Sequence, residues 1–496
     1  MRLHAASPGA AWRRCLPVLC VVLLAACGTT PPAPTATAAP SSGSVSLAGR
    51  LRDAVNVDAI RGDLDRLQQI AGANGGIRAA GTPGYDASAA FVARSLGDLG
   101  YRVRMDEFTV PSFSEVGTSL LTVPGGPELT AGRDFRAMLF SAGGDVRARV
   151  EAIGFDRSAD PGAFGVRPSG LGCSPGDMPA SVRGTLVLVQ PGPCYRRVQA
   201  LAAEAAGALA IVIAYPQWEP GFVLRPTLLS PDGITIPVIG ATREAGLALA
   251  DAADARAQIH LQVATLIVQH RVANVIADTP AGDPSKVVML GAHLDSVIDG
   301  PGINDNGSGT MTILEIARRL AQVGPFGETV RFAFWAGEEL GLYGSQHYVG
   351  SLSAADRARI VAYLNFDMLG SPNGGRLVYA DAGAVPGSDR ITAAFTAYFA
   401  SSGLSSATLD LGGASDHYAF EQAGIPTGGL FSGANELKTA AAAQQFGGAP
   451  NTLFDGCYHR PCDRSDNIDP TLLAQMARAA AYVTGLLASG ELALSS

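Results

Sequence analysis

From about residue 270 onward, continuous apolar runs are interrupted by a helical stretch, and titratable side chains fall at the ends of those runs. The segments 273–277, 287–292, 329–336 and 359–367 read as strands, and 310–321 reads as a helix. Strands without polar alternation are buried on both faces, which predicts a mixed β-sheet flanked by helices. In such α/β folds, ligands collect at strand ends and in the loops beyond them.

The first part of the chain fits the same class. Val57, Ile60, Leu64 and Leu67 have helical spacing over 56–70, and a glycine-rich loop follows over 71–84. A helix over 85–99, ended by Gly100, then leads into a strand over 101–110. The character changes at 130–261, where strand-like runs at 185–189 and 210–214 flank an alanine-rich helix at 197–206. This segment reads as a β-rich module inserted between 46–129 and 262–496, and 496 residues are enough for two cores.

Arg2, Arg13 and Arg14 precede an apolar run over 16–26 that is short for a bilayer span, so 1–26 reads as a secretory leader. Leu24-Ala25-Ala26-Cys27 looks like a lipobox, which makes Cys27 the expected site of lipidation. Residues 27–45 are almost entirely Pro, Ala, Thr, Ser and Gly, and are expected to be a disordered tether. The expected location is the extracytoplasmic face of the cell membrane, held by lipid. Loss of the three leader arginines, with no acid, moves the formal charge from −8 to −11. So acidic a chain argues against a nucleic-acid partner. Four cysteines then remain besides Cys27, an even set that suggests two disulfides in an exported protein. Of the three pairings, the short turn-like stretch between Cys457 and Cys462 favours 457 with 462 and 173 with 194.

The run 287–292 delivers His293, a favoured zinc ligand, and Asp295 stands where a carboxylate could orient its other ring nitrogen. The glycine-rich turn 300–309 places Asp305 at a helix start, where its two oxygens could bridge two metals; a capped surface turn is the ordinary alternative. Glu338 and Glu339 follow the run 329–336, and adjacent carboxylates there need different tasks unless they simply open a solvated helix. Asp367 lies in an apolar run, where an acid is costly unless paired or metal-bound. His459 and Tyr458 sit between Cys457 and Cys462, in what could equally be a structural loop.

Together, the order His293, Asp305, Glu338-Glu339, Asp367, His459 resembles the secreted two-zinc aminopeptidases, the family that includes aminopeptidase Y and glutamate carboxypeptidase relatives. The likeness extends from Arg78-Ala79-Ala80-Gly81-Thr82-Pro83-Gly84 through Gly412-Gly413-Ala414-Ser415-Asp416-His417 to Cys457-Tyr458-His459, and the insert resembles a protease-associated domain. Among family members, the chain looks similar to actinobacterial lipoprotein aminopeptidases. The resemblance implies two zinc ions per chain, one on His293 and Asp367, the other on Glu339 and His459, with Asp305 bridging. It also implies Glu338 as general base, Tyr458 as oxyanion donor, and Glu338 with Asp367 reading the free α-amino group of peptide substrates. Phe431 matches an aromatic near the side-chain pocket, although a core Phe reads equally well. Ala414 stands where some relatives carry arginine. His4, His260, His270, His347 and His417 have no matching ligand role. The implied activity is removal of large apolar or basic N-terminal residues. Alternatives on the same scaffold are a carboxypeptidase or dipeptidase, a single-zinc cyclase, or a surface protein that binds without catalysis.

Overall fold

The computed structural model describes residues 3–4, 46–158, 171–215, 223–380 and 385–494. The leader, Cys27 and the tether lie outside the described residues, apart from Leu3–His4, whose backbone pairs antiparallel with Leu409 and Thr408.

Four strands form the centre of the large sheet: Thr427–Phe431, Ile360–Asp367, Asp283–His293 and Glu328–Trp335, all parallel and adjacent in that order. Beyond Glu328–Trp335 the sheet continues antiparallel through Thr265–Asp278 and Arg102–Glu115. Beyond Thr427–Phe431 it continues through Leu377–Tyr379 and Ala407–Leu409. The strand expected at 273–277 is the end of the longer Thr265–Asp278, whose exposed first half pairs along Arg102–Glu115 instead of entering the core.

Alternation along each strand divides two cores. Val288, Leu290 and Ala292 face the helices Leu47–Ala54, Val57–Ala73, Pro83–Asp98, Gly309–Val323 and Pro470–Ala488. Met289, Ala333, Trp335 and Tyr363 face the other way, against Tyr348 and Phe420 from Tyr343–Ser351 and His417–Gln422. There Trp335 Nε1 donates to the Tyr363 hydroxyl at 2.8 Å, and Tyr363 stacks on Phe420. Burying a large aromatic without leaving its polar atom unpaired fixes this layer.

A second sheet runs Leu120–Thr122, Gln258–Val263, Gly144–Ala152, Leu186–Val189, Ala210–Ala214, Val238–Ala241, Phe135–Ala137. Its helices are Arg196–Ala205 and Arg243–Asp254. It starts ahead of the boundary expected at 130, because Leu121 pairs with Leu261 and carries the sheet back to the polypeptide crossover. Cys173 is bonded to Cys194 and Cys457 to Cys462.

Candidate active site

Parallel strands in register end together, so Asp283–His293, Glu328–Trp335 and Ile360–Asp367 bring their last residues to one edge. His293 stands opposite Trp335, and Asp367 opposite Phe431. Three residues beyond Trp335, the short helix Glu338–Gly341 begins after Gly337, which is left-handed. The turn Ile303–Ser308, a surface turn by the ordinary sequence reading, is buried throughout. Its asparagines explain why. Asn304 donates to Asp455 and Ser371, and Asn306 donates to the Phe366 carbonyl while accepting from Gly309 and Met368. A Cβ at Gly309 would collide with the Phe366 carbonyl, so only glycine permits this approach.

That turn holds Asp305 between two histidines. Its Oδ1 lies 3.2 Å from His293 Nε2, and its Oδ2 lies 3.1 Å from His459 Nε2. His293 Nε2 also meets Asp367 Oδ1 at 3.4 Å, and His459 Nε2 meets Glu339 Oε2 at 3.1 Å. Ligand atoms of His293, Asp305 and Glu339 all fall within 4.8 Å of one another. The structure thus gathers His293, Asp305, Glu338, Glu339, Asp367, Tyr458 and His459 around one cavity of about 690 Å3. His260 pairs instead with Asp145, His347 stacks on Phe108, and His417 packs edge-on against Tyr379.

Burial governs the charges here. It pushes Glu338 well above the usual carboxylate range and Glu339 to about 7, in the latter case against the pull of His459. Burial also opposes ionisation of Asp305, yet hydrogen bonds from His293 and His459 hold its carboxyl below its ordinary value. His293 and His459 are raised despite burial, by Asp367 and Glu339 respectively. Buried carboxylates that face each other need cations in their midst. The donor set supplies what a divalent ion takes: two imidazoles and three carboxylates, of which Glu339 Oε1 and Asp367 Oδ1 are buried oxygens without a hydrogen-bond partner among the described residues. The residues present fit a zinc site.

Asp295 does more than the sequence suggested. The Nδ1 of His293 faces its backbone carbonyl at 3.1 Å, with the carboxylate farther off at 3.7 Å. The carboxylate instead accepts the backbone N–H groups of Glu338 and Glu339 at 3.2 and 3.4 Å, and so ties the glutamate turn to the His293 strand. On the other side, Ser415 donates to Asp367 Oδ2 at 2.7 Å.

The cavity extends away from this cluster along the Ala407–Leu409 side of the sheet, lined by Met368, Leu409, Asp410, Leu411, Phe431 and Glu436. Phe431 is both wall and core, because it also packs with Leu377 and Tyr379. Ala414 lines the same wall.

Residues 274–484 match the model of peptidase family M28, and 162–249 match the PA domain. An aminopeptidase of Pseudomonas aeruginosa is 39% identical over 86% of this chain and 79% of its own length. A probable lipoprotein aminopeptidase of Mycobacterium tuberculosis is 39% identical over 88% of this chain and 86% of its own. The chain belongs to peptidase family M28. A solved zinc aminopeptidase from Bacillus subtilis superposes with a TM-score of 0.64, at 26% identity, covering 86% of this chain and 95% of that one. An aminopeptidase from Aneurinibacillus shares the fold at a TM-score of 0.69 and 23% identity, over 90% of this chain and 98% of that one. The five metal-ligand candidates all fall inside the M28 match.

Three buried groups in this M28 site escaped the sequence reading. Arg78 is fully buried and donates to the carbonyls of Leu294, Pro301 and Gly302, along the chain between His293 and the Asp305 turn. Asp463 accepts from the N–H groups of Asn304 and Asp305 at 2.8 and 3.0 Å, and burial pushes it up to about 8. Asp416 is fully buried and pushed by burial to about 7. Each sits in a glycine- or cysteine-rich stretch that reads locally as loop. Leu342, Met368 and His459, none of them glycine, adopt left-handed backbone next to the cluster, the strain that accompanies functional sites.

Proposed function

We propose that this chain is a zinc-dependent aminopeptidase that removes single residues from the amino end of peptides. The single observation that carries the reading is Asp305, whose two oxygens face two separate His–carboxylate pairs, His293 with Asp367 and His459 with Glu339. These five side chains would hold two zinc ions. Ions so held supply Lewis acidity toward the scissile carbonyl and lower the pKa of the attacking water.

The protein does the rest. Glu338 stays out of the histidine contacts that engage Glu339, and a carboxyl raised by burial is suited to take a proton from water and return it to the leaving amine. Tyr458, stacked on His459 at 3.8 Å between ring centres, can donate its hydroxyl to the oxygen that becomes negative in the transition state. Glu338 and Asp367 offer acidic partners to a free α-ammonium group, which an internal peptide bond lacks. Met368, Leu409, Leu411 and Phe431 suit a large apolar side chain, and Asp410 and Glu436 on the same wall suit a basic one.

Attachment to the outer face of the cell membrane through lipid on Cys27 belongs to this reading. It is supported by the cysteine at the end of the apolar run and by the lipoprotein named among the relatives. Among the described residues, no helix is long and apolar enough to cross a membrane. The inserted second sheet corresponds to the protease-associated domain of this reading.

The test is hydrolysis of leucyl, lysyl and N-acetyl-leucyl chromogenic amides by the fragment from Gly28 onward. Cleavage of the two free amides and not of the acetylated one is the expected result. Equal cleavage of blocked and free amides, or none despite bound zinc, would sink the proposal.

A further inference from the structure

Among the described residues, no side chain of the inserted module lines the cavity, yet one of its segments reaches the glutamate turn directly. The Thr227 hydroxyl donates to the carbonyl of Leu340, the residue after Glu339, at 3.0 Å. Two residues on, the backbone of Leu229 lies against Gly341 so closely that a Cβ there would stand 3.0 Å from the Leu229 oxygen. Tyr343, just past the turn, donates its hydroxyl to that same oxygen at 3.1 Å.

The segment is itself firmly held. Arg225, buried, donates to Asp299 at 3.0 Å, to Glu115 at 2.8 Å and to the Ala137 carbonyl at 2.8 Å. Arg136 takes the other oxygen of Asp299 at 2.9 Å. The Thr227 carbonyl accepts from Tyr195 and Arg196, at 3.1 and 3.0 Å. Asp299 belongs to the loop that leaves His293, so residues 225–229 grip the loops beyond two neighbouring strand ends at once.

We infer that residues 225–229 form a strap through which the inserted module sets the position of the Glu338–Glu339 turn, with Thr227 as the positioning residue. The amino end of that turn is tied to the large sheet by Asp295. Its carboxyl end, at Leu340 and Gly341, rests on the insert. A base displaced by a fraction of its proper distance costs rate without costing affinity, because approach geometry matters most in the transition state. The kinetic part of this inference rests on the aminopeptidase reading, in which Glu338 is the base; the structural part does not.

Two readouts on Thr227→Val, Thr227→Ser and Tyr343→Phe test it. Amide hydrogen exchange over 337–343 is expected to quicken about tenfold in Thr227→Val, which removes the hydrogen bond to Leu340 and the one the hydroxyl accepts from the Leu229 N–H at 2.9 Å, and to return to the wild-type rate in Thr227→Ser. On leucyl amide, kcat should fall by a similar factor with KM within twofold and bound zinc unchanged, and Thr227→Ser should recover it. Tyr343→Phe removes a different bond to the same strap and should act in the same direction, which covers a Thr227→Val protein that does not fold. Wild-type exchange rates in both Thr227→Val and Tyr343→Phe would overturn the strap. So would a loss confined to KM. If the wild-type protein cleaves no amide, the aminopeptidase reading fails and exchange alone still decides the strap.

Discussion

In the second sheet, Leu186–Val189, Ala210–Ala214 and Val238–Ala241 are buried along their whole length and run out into Gln190, Tyr215 and Thr242. In the large sheet, strands buried over the stretches that lead to their carboxyl ends run out into His293, Glu338–Glu339 and Asp367. The local architecture is the same, parallel strands covered by helices; the ends differ in whether their polar groups are satisfied. Gln190 exchanges two hydrogen bonds of 3.0 Å with the backbone of Asp156, and Thr242 caps the following helix. Glu339 and Asp367 each keep a buried oxygen without a hydrogen-bond partner among the described residues. A scaffold of this kind can close its ends for stability or leave them open for ligands, and this chain does one in each sheet.

Removing metal should break the comparison most completely. Chelation is expected to abolish amide hydrolysis and to raise hydrogen exchange over 300–310 and 455–465, leaving the strands of the second sheet as protected as before; zinc should restore both. Loss of protection across both sheets would mean that the second sheet depends on the site. Next, Glu338→Ala should lower kcat by about 10²–10⁴-fold, the usual worth of a general base, with zinc content unchanged by elemental analysis. A mutant that loses its zinc as well would place Glu338 among the ligands.

The inserted sheet should respond in the opposite sense. Ile213 is fully buried, and Ile213→Ala should cost about 2–5 kcal/mol in denaturant unfolding while kcat at 25 °C stays at the wild-type value. Cys173→Ser with Cys194→Ser opens a link across 21 residues and should cost about 3 kcal/mol on the chain-entropy account, again without change in kcat. Cys457→Ser with Cys462→Ser opens a link across only 5 residues, so its cost in stability should be smaller. Its effect on kcat should be larger, because Tyr458 and His459 lie inside that loop.

The difference between the sheets was half legible in the sequence. Apolar runs gave away the strands of both, since 287–292 sits within Asp283–His293 and 210–214 coincides with Ala210–Ala214. The order of acids and histidines marked these strand ends through their resemblance to a family; His293 and Asp367 read as ligand candidates on their own, whereas Asp305 alone read as a turn, Glu338-Glu339 as a helix start and His459 as part of a disulfide loop. What stayed hidden depends on partners distant in the chain. Burial of the Asp305 turn follows from Asn304 and Asn306 bonding to residues 60 or more positions away, and no local pattern reports that. The same holds for Arg78, whose acceptors lie more than 200 residues on, and for Leu120–Thr122, a short strand defined only by its pairing with Gln258–Val263.

Anomalous scattering at the zinc edge, from crystals grown with saturating zinc, tests the central claim most directly. The account expects two peaks per chain, one among His293, Asp305 and Asp367 and the other among His459, Asp305 and Glu339. A single peak, or density away from Asp305, would contradict it.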